Sequence, residues 1–171
     1  MIIFKCIFSG DEMFTDAYNF AVTDDGCFYE VEGKMVSRVD KFDDRLIGAN
    51  ASAEDAAEQT DAYCATGVDL VLGSSLAATP PYSKKEYVAY VKCYLKSLEA
   101  RLQRDHPDRV AAFKLAAGKG VKRILSDFKN FEFYKGESMH EEGLVALLNF
   151  REDGVTPYML FFKDGLEQEK F

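Results

Sequence analysis

The residues best able to do chemistry in this chain are four cysteines, Cys6, Cys27, Cys64 and Cys93, and two histidines, His106 and His140. The cysteines are far apart and form no C-x-x-C pair, and two histidines add little ligand capacity, so the spacing argues against zinc. Reduced, mostly buried thiols are the plainer reading. Hydrolytic patterns are missing too: there is no nucleophile elbow and no H-E-x-x-H, and Gly118-Lys119-Gly120 lacks the flanks of a phosphate-binding loop. The chain therefore reads as a protein that recognises something, not as an enzyme with a reacting constellation.

Charge is the next informative pattern. The chain carries a net −8, which argues against specific nucleic-acid binding. Between Ser83 and Ser126, however, eleven Lys/Arg stand against four acids, a local +7 inside an acidic body at −15. Opposite faces for different partners follow from such a split. The start, Met1–Phe8, is short, is interrupted by Lys5 and runs into Asp11-Glu12, unlike a secretory leader. No stretch approaches the roughly 20 apolar residues of a membrane span. The expected location is cytoplasmic.

The elements that must position these groups follow from periodicity. Ile2–Phe8, Asn19–Val22, Cys27–Glu32, Met35–Val39 and Val68–Leu72 read as strands, with Asp25-Gly26 as a two-residue hairpin turn. From Asp40 to Gly67 the apolar pattern disappears in favour of Ala and acids, which predicts a long mobile acidic loop. Ser83-Lys84-Lys85-Glu86 is a capping box, and Tyr87, Val91, Tyr94, Leu95, Leu98 and Leu102 follow at helical spacing. Asp105-His106-Pro107 ends that helix and begins another, striped by Val110, Phe113, Ala117, Val121, Ile124 and Leu125. Most residues of both stripes read as core and not as a partner groove. The whole, residues 1–171, reads as one α+β domain: twisted antiparallel β-sheets, a projecting α-helical hairpin at about 83–127, and the loop at about 40–67.

The densest pattern is Phe128–Lys163, FKNFEFYKGESM followed by GLVALLNFREDGVTPYMLFFKDG, where short apolar runs alternate with Gly136, Gly143 and Asp153-Gly154 turns. Together with Ile47-Gly48-Ala49-Asn50-Ala51-Ser52-Ala53-Glu54, this block closely resembles the two signature regions of the translationally controlled tumour protein (TCTP) family. The likeness extends through Asp11-Glu12-Met13-Phe14 and Phe161–Glu169, so it covers essentially the whole chain. It implies a fold related to Rab exchange factors, whose zinc is held by paired cysteines that this chain lacks. Phe171 stands where many members end in Cys, so a terminal disulfide dimer is not carried over.

The resemblance also implies weak calcium binding, microtubule (tubulin) association and support of growth and survival signalling. Neither Gly26 nor Gly154 anchors an EF-hand loop, because Ala21, Thr23, Arg151 and Leu160 occupy ligand positions. Asn130 and Glu132, two apart, are read as sharing a strand face, with Glu142 in the following turn, giving a weak oxygen-ligand set for calcium. Contact with small GTPases of the Rheb/Rab type, as an exchange or stabilising factor, maps by resemblance onto Glu12 and Glu137. Acidic tubulin tails would meet a basic hairpin face of Lys92, Lys96, Lys122 and Arg123. Anti-apoptotic Bcl-family proteins and translation elongation factor complete the implied partners.

Overall fold

The structure is a computed structural model and describes residues 1–39 and 64–170. Strands β1 (Ile2–Cys6) and β2 (Glu12–Thr15) form a three-stranded antiparallel sheet with β11 (Leu166–Lys170), in the order β11-β1-β2. A six-stranded antiparallel sheet runs β3 (Phe20–Val22), β4 (Phe28–Glu32), β10 (Pro157–Phe162), β9 (Ala146–Phe150), β8 (Glu132–Lys135), β7 (Ala77–Ala78). A separate pair joins β5 (Met35–Val39) to β6 (Cys64–Val68). Helix α1 (Asp69–Gly73) is one short turn, whereas α2 (Lys84–Asp105) and α3 (Val110–Ser126) make the hairpin.

Two layers cover the six-stranded sheet, and successive side chains point to opposite faces to meet them. On one face Phe28 and Phe162 pack with the hairpin: Tyr94 and Phe162 rings are 5.4 Å apart, and Tyr87 and Phe133 are also 5.4 Å apart. On the other face Phe161 meets Phe14 at 4.9 Å and Tyr29 meets Phe4 at 5.3 Å, which seats the three-stranded sheet. Strand β10 is consequently buried along its full length. Its sequence, PYMLFF, is a continuous apolar run, as expected of a strand covered on both sides.

The hairpin forms where its sequence signals it. Ser83 Oγ accepts the Glu86 N–H at 3.1 Å, capping α2, and Pro107 opens a single 3₁₀ turn before α3. Tyr87, Val91, Tyr94, Leu98 and Leu102 bury the inner face of α2, and Phe113, Ala117, Gly120 and Ile124 that of α3.

Three local expectations are corrected. Val68–Leu72 is not a strand: the strand ends at Val68, because Asp69 Oδ1 accepts the N–H groups of Lys34 (2.9 Å) and Leu70 (2.8 Å) and turns the chain into α1. An apolar run this short looks the same by periodicity in either state. The last residues of the expected loop, Cys64–Gly67, belong to β6; residues 40–63 lie outside the described residues. The β3–β4 connection is longer than two residues, since Thr23 N–H donates to Phe28 O at 2.9 Å and Gly26 N–H closes onto Thr23 O at 2.8 Å.

The two hairpin glycines differ in kind. A Cβ on Gly118 would meet nothing within 4 Å, whereas one on Gly120 would stand 2.4 Å from Cys27 Sγ and 2.9 Å from Phe28. Gly118→Ala is expected to stabilise the protein by about 0.5–1 kcal/mol through helix propensity. Gly120→Ala is expected to destabilise it by about 1–3 kcal/mol through overpacking. Urea unfolding of the two variants checks this, and equal effects would show that α3 does not pack closely on β4.

Candidate functional site

The loop between β1 and β2 closes on itself, Cys6 N–H donating to Asp11 O and Gly10 N–H to Cys6 O, each at 2.9 Å. This aims the Asp11 side chain across the molecule at the loop that follows β8. There Asp11 Oδ2 accepts the Ser138 hydroxyl at 2.6 Å and the Ser138 N–H at 3.3 Å. Gly136 permits the approach, because a Cβ at that position would lie 2.4 Å from Asp11 Cβ. Two segments 127 residues apart thus meet at one corner, and each carries one of the expected GTPase-contact residues. Glu12 is half-buried at the start of β2, in register with Lys5. Glu137 is exposed between Gly136 and Ser138.

The corner loop is held by turns. Met139 N–H donates to Gly136 O (3.0 Å), and Lys135 Nζ donates to the carbonyls of His140 (3.0 Å) and Glu141 (3.4 Å). Partial burial pulls the Lys135 ammonium below its ordinary value. Lys5 is held above its own, chiefly by its hydrogen bond to Glu169, with Glu12 adding a weaker field. An exposed carboxylate such as Glu137 on a braced corner can meet a partner's lysine or compete for a partner's cation.

The expected calcium residues are not gathered. Asn130 closes a 3₁₀ turn (Phe128–Asn130) before β8 begins, so it does not share a strand face with Glu132. Its amide donates to Asp127 Oδ1, and Asp127 Oδ2 accepts from Asn149 at 3.4 Å. Glu132 borders an aromatic cleft of about 250 Å³ with Tyr82, Phe128 and Phe133, while Glu142 borders a separate one of about 150 Å³ with Tyr90, Cys93 and Ser97. Among the described residues no group of three His, Cys, Asp or Glu converges as a metal cluster. Asp127, which organises Asn130, carried no signal beyond its place at a helix end.

On the hairpin, Lys92, Lys96 and Lys122 are exposed as expected. Arg123 is half-buried and paired. Its Nη2 approaches Glu30 Oε1 at 3.5 Å, and Glu30 also pairs with Arg151 at 3.1 Å. Arg151 in turn reaches Glu32 at 3.4 Å and lies 4.6 Å over the Tyr158 ring. Register along β4 and β10 creates this network, which sequence spacing does not report.

Most of both helical stripes is core, as expected, with Leu95, Val110, Val121 and Leu125 packed against it from the rim. Leu95, Val121 and Leu125 are half-buried and line an open apolar groove of about 480 Å³ between α2 and α3, floored by Phe113 and Ala117. Lys92 and Lys96 stand among its lining residues, and Lys114 pairs with Glu99 across it at 2.8 Å. An excess of apolar residues over one helix face was the available signal.

One hydroxyl ties the hairpin to the corner loop: Tyr90 donates to Gly143 O at 2.8 Å and accepts from Val145 N–H at 3.1 Å. The hydroxyls of Tyr87 and Tyr94 are buried without a hydrogen-bond partner among the described residues, and burial pushes the Tyr94 phenol well above its ordinary value. Tyr90→Phe is expected to cost about 1–3 kcal/mol, because it strands the Val145 donor. Tyr87→Phe should stay within about 0.5 kcal/mol of wild type, since no bond is lost. Denaturant midpoints of the two proteins check this contrast.

Fold and surfaces together define an α+β protein of antiparallel sheets, clad on one face by a basic helical hairpin and joined at a corner by Asp11 and Ser138. The family model for translationally controlled tumour protein matches residues 1–167, and the chain belongs to that family. It is 54% identical over 171 residues to the translationally-controlled tumor protein homolog of Labeo rohita, covering 99% of each chain. With the Homo sapiens protein it shares 50% identity over 172 residues, again covering 99% of each. The solved structure of the Schizosaccharomyces pombe translationally controlled tumor-associated protein superposes with a TM-score of 0.82 at 46% identity, over 100% of both chains. That of the Caenorhabditis elegans protein gives 0.72 at 29% identity, over 100% of this chain and 99% of the other. Among the described residues, no helix is long and apolar enough to cross a membrane.

Proposed function

We propose that this protein is a cytoplasmic, multivalent interaction protein that engages a small GTPase of the Rheb/Rab type through the corner bearing Glu12 and Glu137, as an exchange or stabilising factor. The observation that carries this reading is the Asp11–Ser138 contact, which braces the two carboxylate-bearing segments against each other. A braced surface loses less side-chain and loop freedom on binding than a mobile one. On the GTPase, a carboxylate competing for the lysine or magnesium that holds the phosphates would loosen the nucleotide.

Release of a fluorescent GDP analogue from a Rheb-type and a Rab-type GTPase tests the proposal. Wild-type protein should change the release rate, and Glu12→Val or Glu137→Gln should remove most of that change. Asp11→Ala should weaken it about tenfold by freeing the corner, at a cost of about 1–2 kcal/mol in binding. Equal activity in all four proteins would refute the assignment.

A second reading is favoured by the hairpin. Lys92, Lys96 and Lys122 are exposed, with no carboxylate paired to them among the described residues, and they suit the acidic tails of tubulin. Microtubule co-sedimentation should then fall steeply between about 50 and 200 mM salt as the screening length shrinks. Reversal of these three lysines to Glu should abolish it, while Arg123 is left in place because it serves the Glu30 network. Pelleting of the reversed protein at low salt would rule this reading out. Roles in growth and survival signalling would follow from whichever contact dominates.

A further inference from the structure

Ser138 is the one serine whose hydroxyl bridges the two segments of the corner. It is exposed, as are all residues from Glu137 to Glu142, and these residues lie outside any helix or strand. Carboxylates surround it in sequence: Glu137 precedes it, Glu141 follows at the third position and Glu142 at the fourth. The Asp11 carboxylate that it meets has no slack, since the Gly136 backbone lies against it: a Cβ there would be 2.5 Å from Oδ2.

We propose that Ser138 is a phosphorylation site for an acidophilic serine/threonine kinase, and that the phosphate opens the corner. A kinase whose peptide groove is lined with Lys and Arg reads acidic residues after the acceptor by charge-assisted hydrogen bonds, and Glu141 supplies the carboxylate at the third position. In the transfer, a bond forms between Ser138 Oγ and the γ-phosphorus of ATP as the bond to the bridging oxygen breaks. ADP leaves, and the hydroxyl proton passes to the kinase base.

The consequence follows from electrostatics at the contact. Before transfer, Ser138 Oγ is a donor to Asp11 Oδ2 at 2.6 Å. Afterwards that donor is gone, and a group carrying about −1.5 to −2 charges faces a carboxylate. Glu137 adds repulsion from the same loop. Lys135, three residues earlier at the end of β8, is engaged with the His140 and Glu141 carbonyls. The repulsion is relieved as Ser138 moves away from Asp11, and that movement opens the corner. Modification would thereby separate the segments bearing Glu12 and Glu137. The site stands on the corner's own geometry, whereas its effect on a GTPase rests on the reading above.

Incubation of the full chain with casein kinase 2 and ATP, followed by peptide mass spectrometry, tests the site. Phosphate is expected on Ser138, lost in Ser138→Ala and added about tenfold more slowly in Glu141→Gln. Amide exchange of the phosphorylated chain should quicken about tenfold at Ser138 and Met139, with Met159 and Leu160 in β10 unchanged. Asp11→Asn removes the opposing charge, so phosphorylation of that variant should quicken exchange much less. No phosphate on Ser138, phosphate only at other serines, or a phosphorylated chain exchanging at the unmodified rate would each overturn the proposal. None of those results bears on nucleotide release by the unmodified protein, so the two proposals fail separately.

Discussion

Burial of β10 on both faces is the constraint on which the remaining architecture depends. A strand can alternate its side chains only between two sides, and Phe161 and Phe162 each require a covering layer. Each fully buried Phe or Leu of this strand contributes on the order of 1.5–3 kcal/mol relative to exposure. The three-stranded sheet and the hairpin supply those layers. Gly120 lets α3 come close enough to β4 to complete the second, and a methyl group there would collide with Cys27. Every surface discussed above is a by-product of that packing. The corner joins the three-stranded sheet to the loop after β8, and the hairpin shows solvent whatever face the sheet does not use.

The corner and the hairpin present surfaces of different physical character. At the corner, one carboxylate accepts two hydrogen bonds from a residue far along the chain, and this fixes where Glu12 and Glu137 stand. Such a contact is short-ranged and specific, and it depends on a neutral donor facing a carboxylate. The hairpin offers lysines on flexible stems beside an open apolar groove. Its attraction is long-ranged and screened by salt, and its apolar floor adds an area term independent of salt. A partner with a charged tail would respond to the lysines alone.

The scattered oxygen atoms illustrate how far local pattern reaches. Asn130 and Glu132 are two apart and would share a face if both were in a strand, yet the chain finishes a 3₁₀ turn at Asn130 and enters β8 only at Glu132. Arg123 directly precedes Ile124 of the buried stripe of α3 and looks in sequence like any solvated cation, but it pairs with Glu30, 93 residues away. The first outcome has a local cause, since Asp127 closes the turn on Asn130. The second has none within α3 and follows from how α3 is laid across β4.

The sequence alone determined the family, the α+β class, the capped start of α2, the Pro107 break and the strands with alternating or continuous apolar character. These depend on interactions within a few residues, where spacing and side-chain type suffice. Only the tertiary structure decided that Val68 ends a strand and Asp69 begins a helical turn, because Asp69 caps the backbone of Lys34 on a distant strand connection. Only it paired Asp11 with Ser138, set Arg123 against Glu30 and left Leu95, Val121 and Leu125 half-buried. Those results depend on which non-local groups are brought within a few ångströms. Periodicity records how a segment divides into faces, and it is silent about what each face will meet.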